Sequence, residues 1–268
     1  MGRVEGKVAF ITGAARGQGR SHAVTMAREG ANLIITDLCG RVDWTTYDGS
    51  DRSDLDETMR LVEAAGGQCV AAESDVRDLE ALEVAARLGV EAFGKIDVVV
   101  ANAGVGRMNA WHDVTEEVWR QTIDINLTGT WNTVMATAPH MIESGGGSII
   151  LVSSAAGLKS MPFMVPYVAS KFGVTGLAKA FAQELSAHNI RVNSVHPAGV
   201  DTPMAGGESD APKLIEANPH LAPIMSNILP VTLMPPEDVS HLVLYLASDE
   251  SRYVTAAAMV IDAGNTSY

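Results

Sequence analysis

The chain has 268 residues, 47% of them hydrophobic, and its 19 basic and 32 acidic side chains give a net charge of −13. That charge would repel a polyanion, so nucleic acid is not an expected partner. No stretch approaches the ~20 apolar residues of a membrane span, the chain start shows no signal-peptide core, and the two cysteines form no CxxC pair. We therefore expect a cytoplasmic protein without a membrane segment, and residues 1–268 folding as one domain.

Short β-branched apolar runs alternate with amphipathic stretches along the chain. The predicted strands are 8–12, 33–36, 69–72, 98–101, 149–152, 190–195 and 259–261. Because these runs are continuous rather than alternating, each strand should be buried on both faces. The pattern predicts an α/β fold, a doubly wound parallel sheet of Rossmann type with about seven strands and helices on both faces.

Two segments interrupt this pattern. Residues 38–52 contain Trp44 and Tyr47, which favour a packed loop, although three aspartates and a glycine there leave a disordered surface loop open. Residues 203–236 are rich in Met, Leu and Ile, with Lys213 as the one cation. They predict an apolar substrate lid, with two small helices packing only for stability as the alternative.

Three glycines follow the first predicted strand, at Gly13, Gly17 and Gly19. Between a strand and a helix they allow backbone N–H groups and the helix dipole to meet a pyrophosphate. A glycine triplet alone is weak evidence, because an ordinary strand-to-helix turn can look the same. Asp37, at the end of the second strand, strengthens it: a carboxylate there can accept hydrogen bonds from a ribose and would repel a 2′-phosphate. This favours NAD over NADP, while Arg16 argues the other way because it could pair with that phosphate.

Tyr167 and Lys171 share one face of a predicted helix over 167–187, above Val174 and Ala178. Alone, this spacing is more typical of a core stripe with a lysine whose ammonium reaches water. Ser154, at the end of a buried strand thirteen residues before the tyrosine, changes that interpretation. A hydroxyl, a phenol and an ammonium are what alcohol oxidation needs beside a nicotinamide.

Together, TGxxxGxG from Thr12, Asn102-Ala103-Gly104, Asn126, Ser154 and Tyr167-xxx-Lys171 resemble the short-chain dehydrogenase/reductases over the whole chain. The resemblance implies a catalytic tetrad of Asn126, Ser154, Tyr167 and Lys171, with Asn126 holding a water. The expected cofactor-binding residues are Gly13, Arg16, Gly17, Gln18, Gly19, Asp37, Leu38, Asp75, Val76, Asn102, Ala103, Gly104, Tyr167, Lys171, Pro197, Gly199, Val200 and Thr202. Among these, the resemblance assigns Asp75 and Val76 to the adenine, and Val200 and Thr202 to the nicotinamide carboxamide.

The insertion at 38–52 and the sequence from His196 to Met204 look like the mycofactocin-associated branch of that family, which includes carveol dehydrogenases. That branch implies NAD held without exchange beneath the insertion, and hence an external redox carrier. The family resemblance implies a homotetramer, and the apolar character of the predicted helices 118–142 and 168–187 supports one.

The predicted function is hydride transfer between NAD and a hydrophobic secondary alcohol or ketone, with Tyr167 as general acid and base. Because a free phenol has a pKa of ~10, Tyr167 needs a lowered pKa, which we expect from Lys171 and oxidised nicotinamide. No metal is predicted, since the histidines lack paired ligand spacing, and His196 is expected to be structural. The alternatives are an NADP-linked 3-ketoacyl reductase and a non-catalytic NAD-sensing module.

Overall fold

The computed structural model describes residues 2–206 and 210–267. Its strands are β1 (Val8–Thr12), β2 (Asn32–Asp37), β3 (Cys69–Glu73), β4 (Val98–Ala101), β5 (Gly147–Val152), β6 (Ile190–Pro197) and β7 (Ala258–Ile261). They form one sheet in the order β3-β2-β1-β4-β5-β6-β7, and every neighbouring pair is parallel. The predicted doubly wound parallel sheet is confirmed.

Helices cover both faces of the sheet. They are α1 (Gly17–Arg28), α2 (Arg52–Ala64), α3 (Leu79–Phe93), α4 (Glu116–Ile123), α5 (Gly129–Glu143), α6 (Val165–Glu184), α7 (Pro203–Gly206), α8 (Ala211–Ala217) and α9 (Pro236–Ala247). Alternate residues of β1 enter two separate apolar cores: Ala9 and Ile11 pack with α1, α2 and α9, whereas Val8 and Phe10 pack with α3, α5 and α6. Burial on both faces explains the unbroken apolar runs. In the described part of the chain, no helix has the length and apolarity needed to cross a bilayer.

The strand order changes direction at β1: β2 and β3 lie on one side of it, and β4 to β7 lie on the other. The connections from these strands therefore diverge beyond their carboxyl ends. A parallel sheet opens a crevice at such a switch point, and the residues after β1, β2 and β4 face one another there.

The two interrupting segments take different forms. Residues 38–51 contain no helix or strand and end at the Asp51 cap of α2, which forms a capping box with Asp54. The predicted lid at 203–236 contains α7, α8 and a 3₁₀ turn (Pro219–Met225), although residues 207–209 lie outside the described ranges.

The helix predicted at 118–142 is α4 and α5 joined by a π-helical turn (Asp124–Thr128), and that turn carries Asn126. Such turns mark a local change in backbone hydrogen bonding and are frequent at functional sites. The helix predicted at 167–187 begins earlier, at Val165, because Pro166 occupies its first turn.

Candidate active site

A cleft with about 980 Å³ of empty space lies beyond β1, β2 and β4, and we call it the dinucleotide cleft. Twelve of the predicted cofactor residues line it: Gly13, Arg16, Gly17, Gln18, Asp37, Leu38, Asp75, Val76, Asn102, Ala103, Gly104 and Thr202. Residues predicted from several separate motifs therefore lie together at one cleft, and their binding of a cofactor stays a prediction.

The turn from β1 into α1 is shaped for a close approach of ligand to backbone. Gly13 has φ +66°, which side chains rarely tolerate, and a side chain at Gly19 would collide with the carbonyl of Gly13. Among the described residues, no side chain caps the start of α1. Its first N–H groups therefore stay available, and these donors together with the helix dipole suit a pyrophosphate.

Asp37 lies at the end of β2 with only 9% of its surface exposed. Its Oδ2 accepts a hydrogen bond from the Ala15 N–H at 3.0 Å. Its Oδ1 accepts from the Ser50 hydroxyl at 2.6 Å and from the Cys39 N–H at 3.1 Å. The carboxylate is fixed beside the cleft with one acceptor position left on Oδ2 for a ribose hydroxyl, and its charge would oppose a 2′-phosphate.

Arg16 does not extend toward the adenosine ribose. Its guanidinium donates to the carbonyl of Gly49 at 3.1 Å and to the carbonyl of Asp48. Both acceptors belong to the insertion, so Arg16 binds the insertion to the start of α1. This contact removes the one sequence observation that had favoured NADP.

The wall expected to receive adenine is built by β3 and the residues after it. Arg77 pairs with Asp75 through contacts of 2.5–3.0 Å. Burial acts to raise the pKa of Asp75, but these hydrogen bonds outweigh it and hold the pKa below its usual range. The carbonyl of Val76 accepts from Asn132 at 2.8 Å, which fixes this wall to α5.

Asn102 joins the ends of β1 and β4. Its side-chain nitrogen donates to the carbonyls of Thr12 at 3.0 Å and Gly13 at 3.2 Å, and its own N–H donates to the Thr12 hydroxyl at 3.1 Å. Asn102 thus lines the cleft and also fixes its width.

Ser154 and Tyr167 face each other in a second cavity. The Ser154 hydroxyl acts to lower the pKa of Tyr167, but burial is the larger effect and the pKa is raised overall. Ser154 Oγ also donates to the carbonyl of Pro197 at 3.5 Å and accepts from the Ala156 N–H at 3.1 Å. The expected lowering of the Tyr167 pKa is therefore not produced by the protein's own groups.

Lys171 is 3% exposed and lies one helical turn after Tyr167, with its Nζ 5.5 Å from the centroid of the tyrosine ring. Its ammonium donates to the carbonyl of Val152 at 2.9 Å, and burial lowers its pKa to about 8. A pKa above 7 leaves the amine mostly charged at neutral pH.

Asn126 reaches the same group of residues from the π-helical turn. Its Oδ1 accepts from the Val105 N–H at 2.8 Å, and its Nδ2 donates to the Val105 carbonyl at 2.9 Å and the Ser170 hydroxyl at 3.1 Å. Both amide protons are used, so only Oδ1 keeps an acceptor position for the water that the family resemblance implies. Asn126 also fixes the loop after β4.

The second cavity, which we call the substrate cavity, shares Gln18, Thr202 and Met204 with the dinucleotide cleft. Its wall includes five methionines, at positions 108, 161, 164, 204 and 225. Methionine fills irregular apolar space and adapts to varied shapes. The sequence had located only the two in the lid segment, because the other three follow β4 and β5 in loops without a periodic pattern.

The remaining predicted cofactor residues take other places. Gly199, Val200 and Tyr167 line the substrate cavity, whereas Gly19, Lys171 and Pro197 lie behind the surfaces that line the two cavities. His196, near the end of β6, contacts the Ser154 carbonyl at 2.8 Å and the Ser194 hydroxyl at 2.8 Å.

The insertion packs over the dinucleotide cleft. Trp44 Nε1 donates to Gln121 at 2.9 Å, and Arg107 donates to the Trp44 carbonyl at 3.1 Å. Thr45 is 4% exposed. These contacts favour the packed loop over the disordered loop that the composition had left open.

Buried polar atoms test whether the cleft fits a dinucleotide. Among the described residues, Gln18 Oε1, Tyr47 Oη and Ser74 Oγ are buried without a hydrogen-bond partner, and all three residues line this cleft. Native structures leave few such groups unpaired. A ligand rich in donors and acceptors fits this wall.

The whole chain has close relatives. Residues 13–266 match a family model described as enoyl-(acyl carrier protein) reductase. The chain is 44% identical to (−)-trans-carveol dehydrogenase of Rhodococcus erythropolis over 99% of each chain. It is 55% identical to a short-chain dehydrogenase from Mycobacterium paratuberculosis solved with NAD, at a TM-score of 0.97, and 47% identical to carveol dehydrogenase from Mycobacterium avium solved with NAD, at 0.94, with complete coverage of each chain. On this evidence the chain belongs to the short-chain dehydrogenase/reductase family of oxidoreductases.

Proposed function

We propose that this protein is an NAD-dependent dehydrogenase that interconverts a hydrophobic secondary alcohol and its ketone. The observation that carries the proposal is the position of Ser154 and Tyr167 in an apolar cavity that opens into the dinucleotide cleft. A proton-transfer pair at the junction of two sites suits a reaction between their two occupants. The NAD-bound structures of two similar proteins support the choice of cofactor.

The chain's residues divide the chemistry among them. Bound NAD would supply the hydride acceptor. In the oxidation direction Tyr167 takes the hydroxyl proton of the alcohol, while Ser154 donates a hydrogen bond to the same oxygen and orients it. Because burial raises the pKa of Tyr167 in the protein alone, the phenolate that this step requires would depend on the positive charge of oxidised nicotinamide, with the Lys171 ammonium 5.5 Å from the Tyr167 ring centroid beside it. Asn126 keeps the loop after β4 in place beside them.

The methionine-lined wall has Arg107 as its one charged residue among the described residues, and it supports an apolar substrate, since a phosphate or coenzyme A group would need several basic partners. The alternative NADP-linked 3-ketoacyl reductase has less support, because Asp37 is fixed where the 2′-phosphate would lie and Arg16 is bound to the insertion. A non-catalytic NAD sensor would not need Ser154, Tyr167 and Lys171 together.

We also propose that the insertion retains NAD between turnovers and that a separate redox carrier reoxidises it, as the resemblance to the mycofactocin-associated branch implies. Arg16 and Arg107 hold the insertion from two sides, which supports slow opening. We also propose that the protein assembles as a homotetramer, as the family resemblance implies.

The function is tested by denaturing the purified protein and identifying any released dinucleotide by mass spectrometry, and then by mixing intact holoprotein with hydrophobic secondary alcohols. We expect NAD, and formation of reduced nicotinamide with some of these alcohols. Release of NADP, or no reduction with any alcohol alongside activity on a ketoacyl thioester, would contradict the proposal.

A further inference from the structure

Tyr47 belongs to the insertion, and it lines the dinucleotide cleft. Its hydroxyl is buried from water, and the proton of that hydroxyl has no acceptor among the described residues. Because an unpaired buried hydroxyl costs free energy, it is rare unless a ligand or water completes it.

The groups around the Tyr47 hydroxyl show which kind of hydrogen-bond partner is missing. The backbone N–H of Gly106 and the guanidinium of Arg16 both favour the phenolate, and Tyr167 opposes it. Burial is the largest effect and raises the pKa of Tyr47 to about 12, so the proton stays on the oxygen at neutral pH. Since the N–H and the guanidinium can only donate, the phenol proton is left without an acceptor.

The position along the cleft indicates which part of a dinucleotide would supply that acceptor. Arg16 lies within the glycine turn suited to a pyrophosphate, directly before the first residue of α1. Gly106, on the other side, packs against the catalytic ring, since a side chain there would come within 3.0 Å of Tyr167. Tyr47 therefore lies between the phosphate-binding turn and the reacting centre, away from the Asp37 and Asp75 wall.

We propose that Tyr47 donates a hydrogen bond from its hydroxyl to an oxygen of the nicotinamide half of bound NAD, at the pyrophosphate or the adjoining ribose. This inference rests on the proposed function for the identity of the cofactor. The insertion then contributes a specific donor to the cofactor in addition to covering it.

Tyr47→Phe tests this directly, because it removes the hydroxyl and keeps the ring. Tyr253→Phe is the matched control, since Tyr253 is 89% exposed. After removal of bound dinucleotide, each variant is titrated with NAD and with AMP, which has the adenosine and one phosphate but no nicotinamide half. We expect Tyr47→Phe to bind NAD about tenfold more weakly and AMP as the wild type does.

Thermal unfolding separates this role from a structural one. Removing an unpaired buried hydroxyl should leave the melting temperature of the protein without NAD unchanged or higher, while the rise on adding NAD becomes smaller. An unchanged NAD affinity would overturn the inference, and so would equal weakening of NAD and AMP with a lower melting temperature, since that result means Tyr47 only shapes the loop.

A different measurement tests the proposed function: the single-turnover reduction of bound NAD by alcohols. If Tyr47→Phe weakens NAD binding while no alcohol reduces NAD in the wild type, the contact stands and the function does not. If alcohols reduce NAD and Tyr47→Phe binds it normally, the function stands and the contact does not.

Discussion

At the scale of single residues, two carboxylates near the cleft have different surroundings. Asp37 accepts three hydrogen bonds and is buried at the end of β2, whereas Glu73, at the end of the adjacent β3, is exposed and lies 3.5 Å from Arg52. Of these two, only Asp37 lines the dinucleotide cleft, so we propose that Asp37 sets the choice between NAD and NADP.

We expect Asp37→Ala to weaken NAD binding about tenfold and to improve binding of NADP relative to NAD by at least as much, because the substitution removes both an acceptor and a repelling charge. Equilibrium titration with both dinucleotides measures this, and Glu73→Gln is the control for loss of a nearby charge. If Asp37→Ala kept the wild-type preference, discrimination would have to come from another residue.

The pKa of Tyr167 shows where the sequence was insufficient. The sequence could predict that Ser154 ends a strand and that Tyr167 and Lys171 share one helix face, because strand ends and helical spacing are local patterns. The direction of the Tyr167 pKa shift could not be predicted, because burial is its largest cause and the depth of burial depends on the whole fold.

At the scale of elements, α1 and α9 pack around a buried histidine. His22 is fully buried, its Nδ1 lies 2.8 Å from the Ser240 hydroxyl, and burial lowers its pKa to about 3. The unfolded chain has an ordinary histidine with a pKa near 6.5, so it binds a proton that the folded state excludes.

The stability provided by neutral His22 is therefore complete above pH ~6.5 and decreases as the pH falls toward about 3. From about pH 7 to about pH 5 we expect this residue to lower the free energy of unfolding by about 2 kcal/mol. Urea unfolding of the wild type and of His22→Asn at both pH values measures how much of the change in the free energy of unfolding comes from His22. The pKa of His196 is also lowered, so His196 adds a decrease in stability at low pH that both proteins share. An equal pH dependence in the variant would contradict this assignment.

The insertion is the element that sequence patterns described least well. Its position followed from the interruption of the apolar pattern at 38–52, but the contacts from Arg16 and Arg107 run to backbone carbonyls, which every residue type provides. Side-chain patterns carry no signal for such contacts, so the packed loop and the disordered loop could not be separated before the structure.

Deletion of residues 40–50 should release NAD faster with little change in its rate of entry, because differences among related complexes lie mainly in the off-rate. Exchange of bound NAD for isotope-labelled NAD measures this, and we expect acceleration of at least about tenfold. The hydride-transfer residues lie on other segments, so the variant should still reduce NAD once. Rapid multiple turnovers with free NAD by the wild type, unchanged by the deletion, would show that the insertion is no lid.

At the scale of the whole molecule, large apolar side chains are exposed on the surface formed by α5 and α6. Trp131 is 40% exposed and lines a groove together with Leu127 and Leu177, and Phe172, in α6, is 46% exposed. Apolar patches of this kind mark contact surfaces, and a second copy of the chain is the occupant proposed above.

We expect sedimentation of the wild type at micromolar concentration to show a tetramer, and Phe172→Glu to dissociate it because the variant buries an unpaired charge. Val84→Glu, on the exposed side of α3, is the control and should leave the assembly intact. A monomeric wild type would remove the tetramer from the proposal and leave the catalytic assignment untouched.

The most direct test of the central claim, an NAD-linked alcohol dehydrogenase with Tyr167 as its acid and base, is a single-turnover measurement on holoprotein. Wild type and Tyr167→Phe, each loaded with NAD, are mixed with a reactive secondary alcohol, and reduced nicotinamide is followed by absorbance while bound NAD is quantified separately. We expect Tyr167→Phe to be slower by about 10²–10⁴-fold with NAD still bound. Reduction by Tyr167→Phe at the wild-type rate would contradict the account.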